Sequence, residues 1–232
     1  MHDIYFDRYT NQLYWALISY SRWWLSTDAP FLTLIRENSG NLNDNIASKI
    51  MTNYNIARGF GGRKSEGFKN AIARANEAAG AWPTSLLCRF HHCEQLAKEW
   101  KRYGETRNLQ ISAATKLMWF LRPIGWTMFD RFASRGLGVT SATNFYTKLD
   151  RLGFDKAIAT LTALIEASDW SSLPASKIID SYLMQRGKKE TLESWVTRAH
   201  AYLEALPANA RESLVDLANR AQDTLGDNFL PM

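Results

Sequence analysis

The chain predicts an all-α fold, on three grounds. Apolar residues recur at three- and four-residue spacing in nearly every segment, the breaks between segments fall at Gly and Pro, and no run of alternating β-branched residues signals a strand. Tyr14, Leu17, Ile18 and Leu25 open the first stripe, which the sequence ends near Ala29-Pro30. Ile46, Ile50, Met51 and Tyr54 mark a second helix over 44–57, stopped by the glycines at 59, 61 and 62. A third runs from Ser65-Glu66 to Ala79, ahead of Gly80 and Pro83, and a fourth spans 86–103, closed by Gly104. A fifth covers Ala113 to Leu121 before Pro123 and Gly125. Past Asp130 come shorter helices and then helices over 156–167, 176–186, 192–205 and 208–225, nine or ten in all. No internal repeat and no long linker divides them, so a single compact all-helical domain is expected, with an N-terminal subregion 1–104, a core 105–190 and C-terminal helices 191–232.

Composition narrows the function classes. At 232 residues, 46% apolar and 12% aromatic with 9 Trp, the chain has the material for a packed core and is not disordered. Two cysteines exclude a disulfide framework, a four-cysteine zinc site and a cysteine-held iron–sulfur cluster. No apolar run approaches the roughly 20 residues of a membrane span, and the start of the chain lacks the basic head and apolar run of a secretory signal. A cytoplasmic protein without membrane partners is therefore expected. The net charge of +5 permits a polyanionic partner. Five basic residues (Arg58, Arg63, Lys64, Lys69, Arg74) face one acid, Glu66, between 58 and 74, whereas the stretch from Glu190 onward carries three basic and seven acidic residues.

Three clusters merit chemical reading. The turn Gly59-Phe60-Gly61-Gly62-Arg63-Lys64-Ser65 is glycine-rich, but Arg63 stands where a phosphate loop needs Gly before its Lys, and no strand precedes it. What remains is a basic turn and a helix start near Ser65 able to hold one backbone phosphate, with Arg58, Arg63 and Lys64 as the contacts, or simply a helix end with a solvated loop. Cys88, His91, His92 and Cys93 offer four metal ligands in six residues. One helix cannot converge all four on one ion, and no distant cluster completes a smaller set, so no metal site is expected.

The third cluster runs from Leu109 to Asp130. Ser112 reads as an N-cap, and Ala114, Leu117, Met118 and Leu121 form a buried stripe with Lys116 off it, near the first turn. There the helix dipole and a neighbourhood of Trp119, Phe120, Trp126 and Phe129 both favour a neutral amine. Asp130, after the Pro-Gly break, is placed to cap a short helix and face back towards Lys116. An amine beside a carboxylate is one arrangement for Schiff-base chemistry. The plain alternative is that Lys116 snorkels at a helix edge and Asp130 is only a cap.

The pattern Ala114-Thr115-Lys116-Leu117-x-x-Phe120-x-x-Pro123, followed by an aromatic and Asp130, resembles the core of helix–hairpin–helix DNA glycosylases, specifically bacterial 8-oxoguanine-DNA-glycosylase-like proteins. A weaker likeness, to a closing helix of such proteins, lies in Ile178-Ile179-Asp180-Ser181-Tyr182-Leu183 with Gly187-Lys188. Where that family's hairpin has glycines, the stretch 109–114 has none. The resemblance implies a bifunctional glycosylase and lyase that needs no cofactor, with DNA as partner. In it Lys116 is the nucleophile, Asp130 its carboxylate, and Trp119, Trp126 and Phe129 the residues against the extruded base. It extends to DNA repair or antiviral defence as the setting. The alternative is a helical DNA-binding or protein-interaction module without chemistry.

Overall fold

The computed structural model describes residues 12–56, 59–60, 65–188 and 192–226. Among them the chain is all-α, with twelve α-helices, one π-helical stretch and no strand. No helix among these residues is long and apolar enough to cross a membrane. The chain divides into two compact units: residues 26–129 form one, and residues 1–25 together with 130–232 form the other.

The contiguous unit holds α2 (Ala29–Glu37), α3 (Asp44–Asn53), α4 (Glu66–Gly80), α5 (Leu86–Arg102) and α6 (Ile111–Leu121). Its centre is α6, against which α2, α3, α4 and α5 all pack. Every residue from Ala113 to Leu121 is buried, which corrects the expectation of a one-sided stripe. A helix surrounded by neighbours has no solvent face, and its sequence, Ala113-Ala114-Thr115-Lys116-Leu117-Met118-Trp119-Phe120-Leu121, is apolar almost all round. Polar ties fix the surrounding helices. Trp100 donates its indole N–H to the Ala71 carbonyl at 3.1 Å, joining α5 to α4. The Asn76 amide accepts from the Leu42 backbone N–H and donates to the Leu42 carbonyl, both at 2.8 Å, joining α4 to the α2–α3 connection.

Pro30 does not end a helix. It sits in the first turn of α2, where the missing N–H has no intrahelical acceptor to lose. The break falls earlier, in the π-helical residues Trp24–Asp28. Asp28 occupies the N-cap position of α2 without capping it; its buried carboxylate accepts the Tyr54 hydroxyl instead.

The other unit holds α1 (Gln12–Trp23), α7 (Arg131–Gly136), α8 (Ala142–Arg151), α9 (Phe154–Glu166), α10 (Ala175–Gly187), α11 (Leu192–Ala205) and α12 (Ala208–Leu225). Here α10 lies against α7, α1 and α9, while α1 also packs on α11 and α12. The first amides of α1 have no acceptor within their own helix. Two of them, Leu13 and Tyr14, donate to the Gln222 side-chain oxygen of α12 at 3.1 and 3.2 Å. The α7–α10 approach is close enough that a Cβ on Gly136 would stand 1.9 Å from the Leu183 carbonyl oxygen, and one on Gly187 would stand 1.7 Å from that of Phe132. Lys177 and Asp180 of α10 form a buried ion pair, with the Lys177 Nζ 6.0 Å from the Tyr20 ring centre of α1.

Candidate functional site

Lys116 lies in the middle of α6 and is only 5% exposed. Helical side chains lean towards the N-terminus, so a lysine reaches the residue one turn earlier. Its Nζ donates to Ser112 Oγ at 3.2 Å. Ser112 is not the N-cap that the sequence predicts. Gln110 holds that position, its side chain makes no capping bond, and the helix begins one residue before Ser112. Ser112 is thereby free of capping and serves two other groups. It takes the Lys116 amine, and it donates its own proton to the Phe129 carbonyl at 3.1 Å.

Thr115 completes the frame. Its hydroxyl donates to the Ser112 carbonyl at 3.2 Å and accepts the Phe129 backbone N–H at 3.1 Å. Both backbone groups of Phe129 are thus tied to the first half of α6. The returning segment is also held at Trp126, whose indole N–H donates to the Arg122 carbonyl at 2.7 Å. Arg89 of α5 donates from Nε to the Pro83 carbonyl at 2.9 Å and from its guanidinium to the carbonyls of Ile124 and Gly125. Asp130 follows Phe129 directly and belongs to the other unit. It is the N-cap of α7, as the sequence predicts, with Oδ1 accepting the Phe132 N–H at 2.7 Å.

Trp119 and Trp126 are fully buried. The Trp126 ring packs edge-on to Trp82 with centroids 4.9 Å apart, and Trp119 packs edge-on to Phe120 at 5.1 Å. Neither ring presents a face to solvent. Phe129 is half-buried. Arg58, Arg63 and Lys64 lie outside the described residues.

The remaining sequence clusters resolve plainly. Cys93 is in the core of α5, where burial pushes its thiol well above the ordinary value, and Cys88 is exposed. His91 is exposed, and His92 shares a hydrogen bond with the Ala78 carbonyl at 2.8 Å. Among the described residues no group of three or more His, Cys, Asp or Glu is placed to hold a metal.

Sequence reading missed the part played by Ser112 and Thr115 in holding Phe129. The only signal available was their spacing: residues 112, 115 and 116 share one helical face. It also missed the buried pair Lys177–Asp180, which the i,i+3 spacing of opposite charges could have flagged. No protein-family model, curated protein or solved structure matches the chain.

Proposed function

We propose that the chain is a lysine-dependent DNA N-glycosylase with β-lyase activity, acting on a damaged or modified base. The observation that carries the reading is the Lys116 amine, withdrawn from solvent in the buried stretch Ala113–Leu121 of α6 and donating to the Ser112 hydroxyl. A lysine kept on the surface for solubility has no need of that arrangement. The likeness of residues 114–130 to the glycosylase core supplies the chemistry.

In this reading the target nucleotide leaves the base stack, since its C1′ is inaccessible within a duplex. The lone pair of the Lys116 Nζ forms a bond to C1′ while the C1′–N glycosidic bond breaks. The base departs with the bonding electrons and takes up a proton. Ring opening leaves an iminium joining Nζ to C1′. Loss of a C2′ proton then expels the 3′ phosphate, and water releases the lysine. Asp130 is assigned, from the resemblance, to stabilising the positive charge that develops at the sugar. Ser112 positions the amine before attack. Phe129, half-buried where Trp119 and Trp126 are fully buried, is assigned from the resemblance to contact the extruded base.

A second reading, a helical nucleic-acid-binding or interaction module without chemistry, draws on the closed environment of Trp119 and Trp126. One experiment separates the two. The full chain is incubated with oligonucleotides carrying oxidised, alkylated or deaminated bases and an abasic site, in the presence of borohydride. A covalent protein–DNA adduct that disappears in Lys116→Gln and weakens by orders of magnitude in Asp130→Asn supports the enzyme. No adduct with any substrate, the abasic site included, refutes it.

A further inference from the structure

We propose that the surface made by the end of α5 and residues 103–110 binds a single-stranded stretch of nucleic acid, stacking one base on Tyr103 and placing phosphates on Arg102 and Arg107. The proposal rests on the nucleic-acid substrate proposed above and names where the strand is gripped.

Tyr103 is 54% exposed, yet its ring is not loose. The Arg74 guanidinium lies over it, 4.0 Å from the ring centre, and that of Arg102 lies 5.5 Å away. Arg74 is itself clamped, its Nε donating at 2.8 Å to Oε1 of Glu105, a carboxylate that is only 3% exposed. The Glu105 backbone N–H in turn donates to the Trp100 carbonyl at 2.9 Å, so the clamp is anchored to the last turns of α5. An exposed aromatic ring packed against a fixed cation has little freedom left to lose when a flat partner stacks on it. Base–aromatic stacking of this kind tolerates any sequence, because every base has a π-face.

The surrounding charge fits the same partner. Arg102 and Arg107 are exposed and make no ion pair among the described residues, in contrast to Lys69, Arg74 and Lys98, each of which is matched by a carboxylate. Leu109 adds 42% of its surface to the same segment as an apolar neighbour. This segment also runs directly into α6, two residues before Ser112, which holds the Lys116 amine.

The test uses the full chain carrying Lys116→Gln, so that binding is read without chemistry. Fluorescence anisotropy is followed with a short labelled single strand, with the same strand made wholly abasic, and with a labelled acidic peptide. Tyr103→Ala is expected to weaken binding of the intact strand about tenfold, and Tyr103→Trp to restore it. The abasic strand is expected to bind like the Tyr103→Ala complex. Arg102→Ala and Arg107→Ala are each expected to lower the slope of log affinity against log salt by about 0.7, a slope that Tyr103→Ala leaves unchanged. Equal affinity of the Tyr103→Ala variant, equal affinity for the abasic strand, tighter binding of the peptide, or no strand binding at all overturns the proposal. Borohydride trapping by the wild-type chain is scored separately. An adduct with Tyr103-independent affinity removes this surface and leaves the enzyme, while Tyr103-dependent affinity without an adduct does the reverse.

Discussion

Ser112 shows how one hydroxyl organises the centre of the chain. It accepts the Lys116 amine and donates to the Phe129 carbonyl, so its removal strips two partners at once. Each net hydrogen bond contributes about 1 kcal/mol. Ser112→Ala is expected to lower stability by about 1 to 3 kcal/mol in urea unfolding. In the glycosylase reading it also slows adduct formation without abolishing it, because the nucleophile survives while its positioning does not. Cys93 makes a prediction about pH. Burial raises its thiol in the folded chain well above the ordinary 9.0. The unfolded chain therefore loses that proton first. The contribution is fully present below about pH 9 and is lost as pH rises beyond it. The urea midpoint is expected to fall between pH 7.5 and about 10 more steeply in the wild type than in Cys93→Ala. Tyr14, raised by the same cause, adds to the loss above pH 10.0 in both chains.

At the level of helices, the closest approach is that of α7 to α10, where the backbones meet through Gly136 and Gly187. Glycine at these two positions reflects space rather than backbone angle. The atoms a methyl would strike are main-chain carbonyl oxygens that cannot rotate aside. Gly136→Ala or Gly187→Ala is expected to force the helices apart and to lower stability by about 2 to 3 kcal/mol, read as a fall in thermal midpoint. Placing α7 this firmly also fixes Asp130, whose side chain caps its first turn. In α6 the same logic runs through apolar packing. Phe120 meets Phe31 of α2 and Tyr54, at the C-cap of α3, edge-on, with ring centres 5.8 and 5.5 Å apart. These contacts hold the helix that carries Lys116.

Across the whole molecule, the unit that contains Asp130 is built from both ends of the chain. The helix α1 depends on partners more than two hundred residues away, since Gln222 of α12 accepts its first amides, and α10 and α11 also pack on it. A chain ending before Pro207 is therefore expected to lose hydrogen-exchange protection in α1 and α9 while α2 to α6 keep theirs, because residues 26–129 form a compact unit of their own. Uniform loss of protection throughout would show instead that the two units fold as one.

The sequence by itself determined that the chain is helical and placed most helix boundaries within a few residues. Periodicity, caps and breakers are local, and Asp130 and Ser65 each announce a helix start that the structure contains. It also singled out Lys116, because a lysine among so many apolar residues stands out in a linear reading. Only the tertiary structure decided that α6 is enclosed on all sides, that Ser112 abandons the cap to hold an amine and a carbonyl, and that Trp119 and Trp126 are closed into the core. The same holds for the clamp of Arg74 and Glu105 against Tyr103, whose members stand 31 residues apart. Burial and hydrogen-bond partnership depend on which distant segments arrive at a helix. A spacing rule records one helix's faces, not what packs against them.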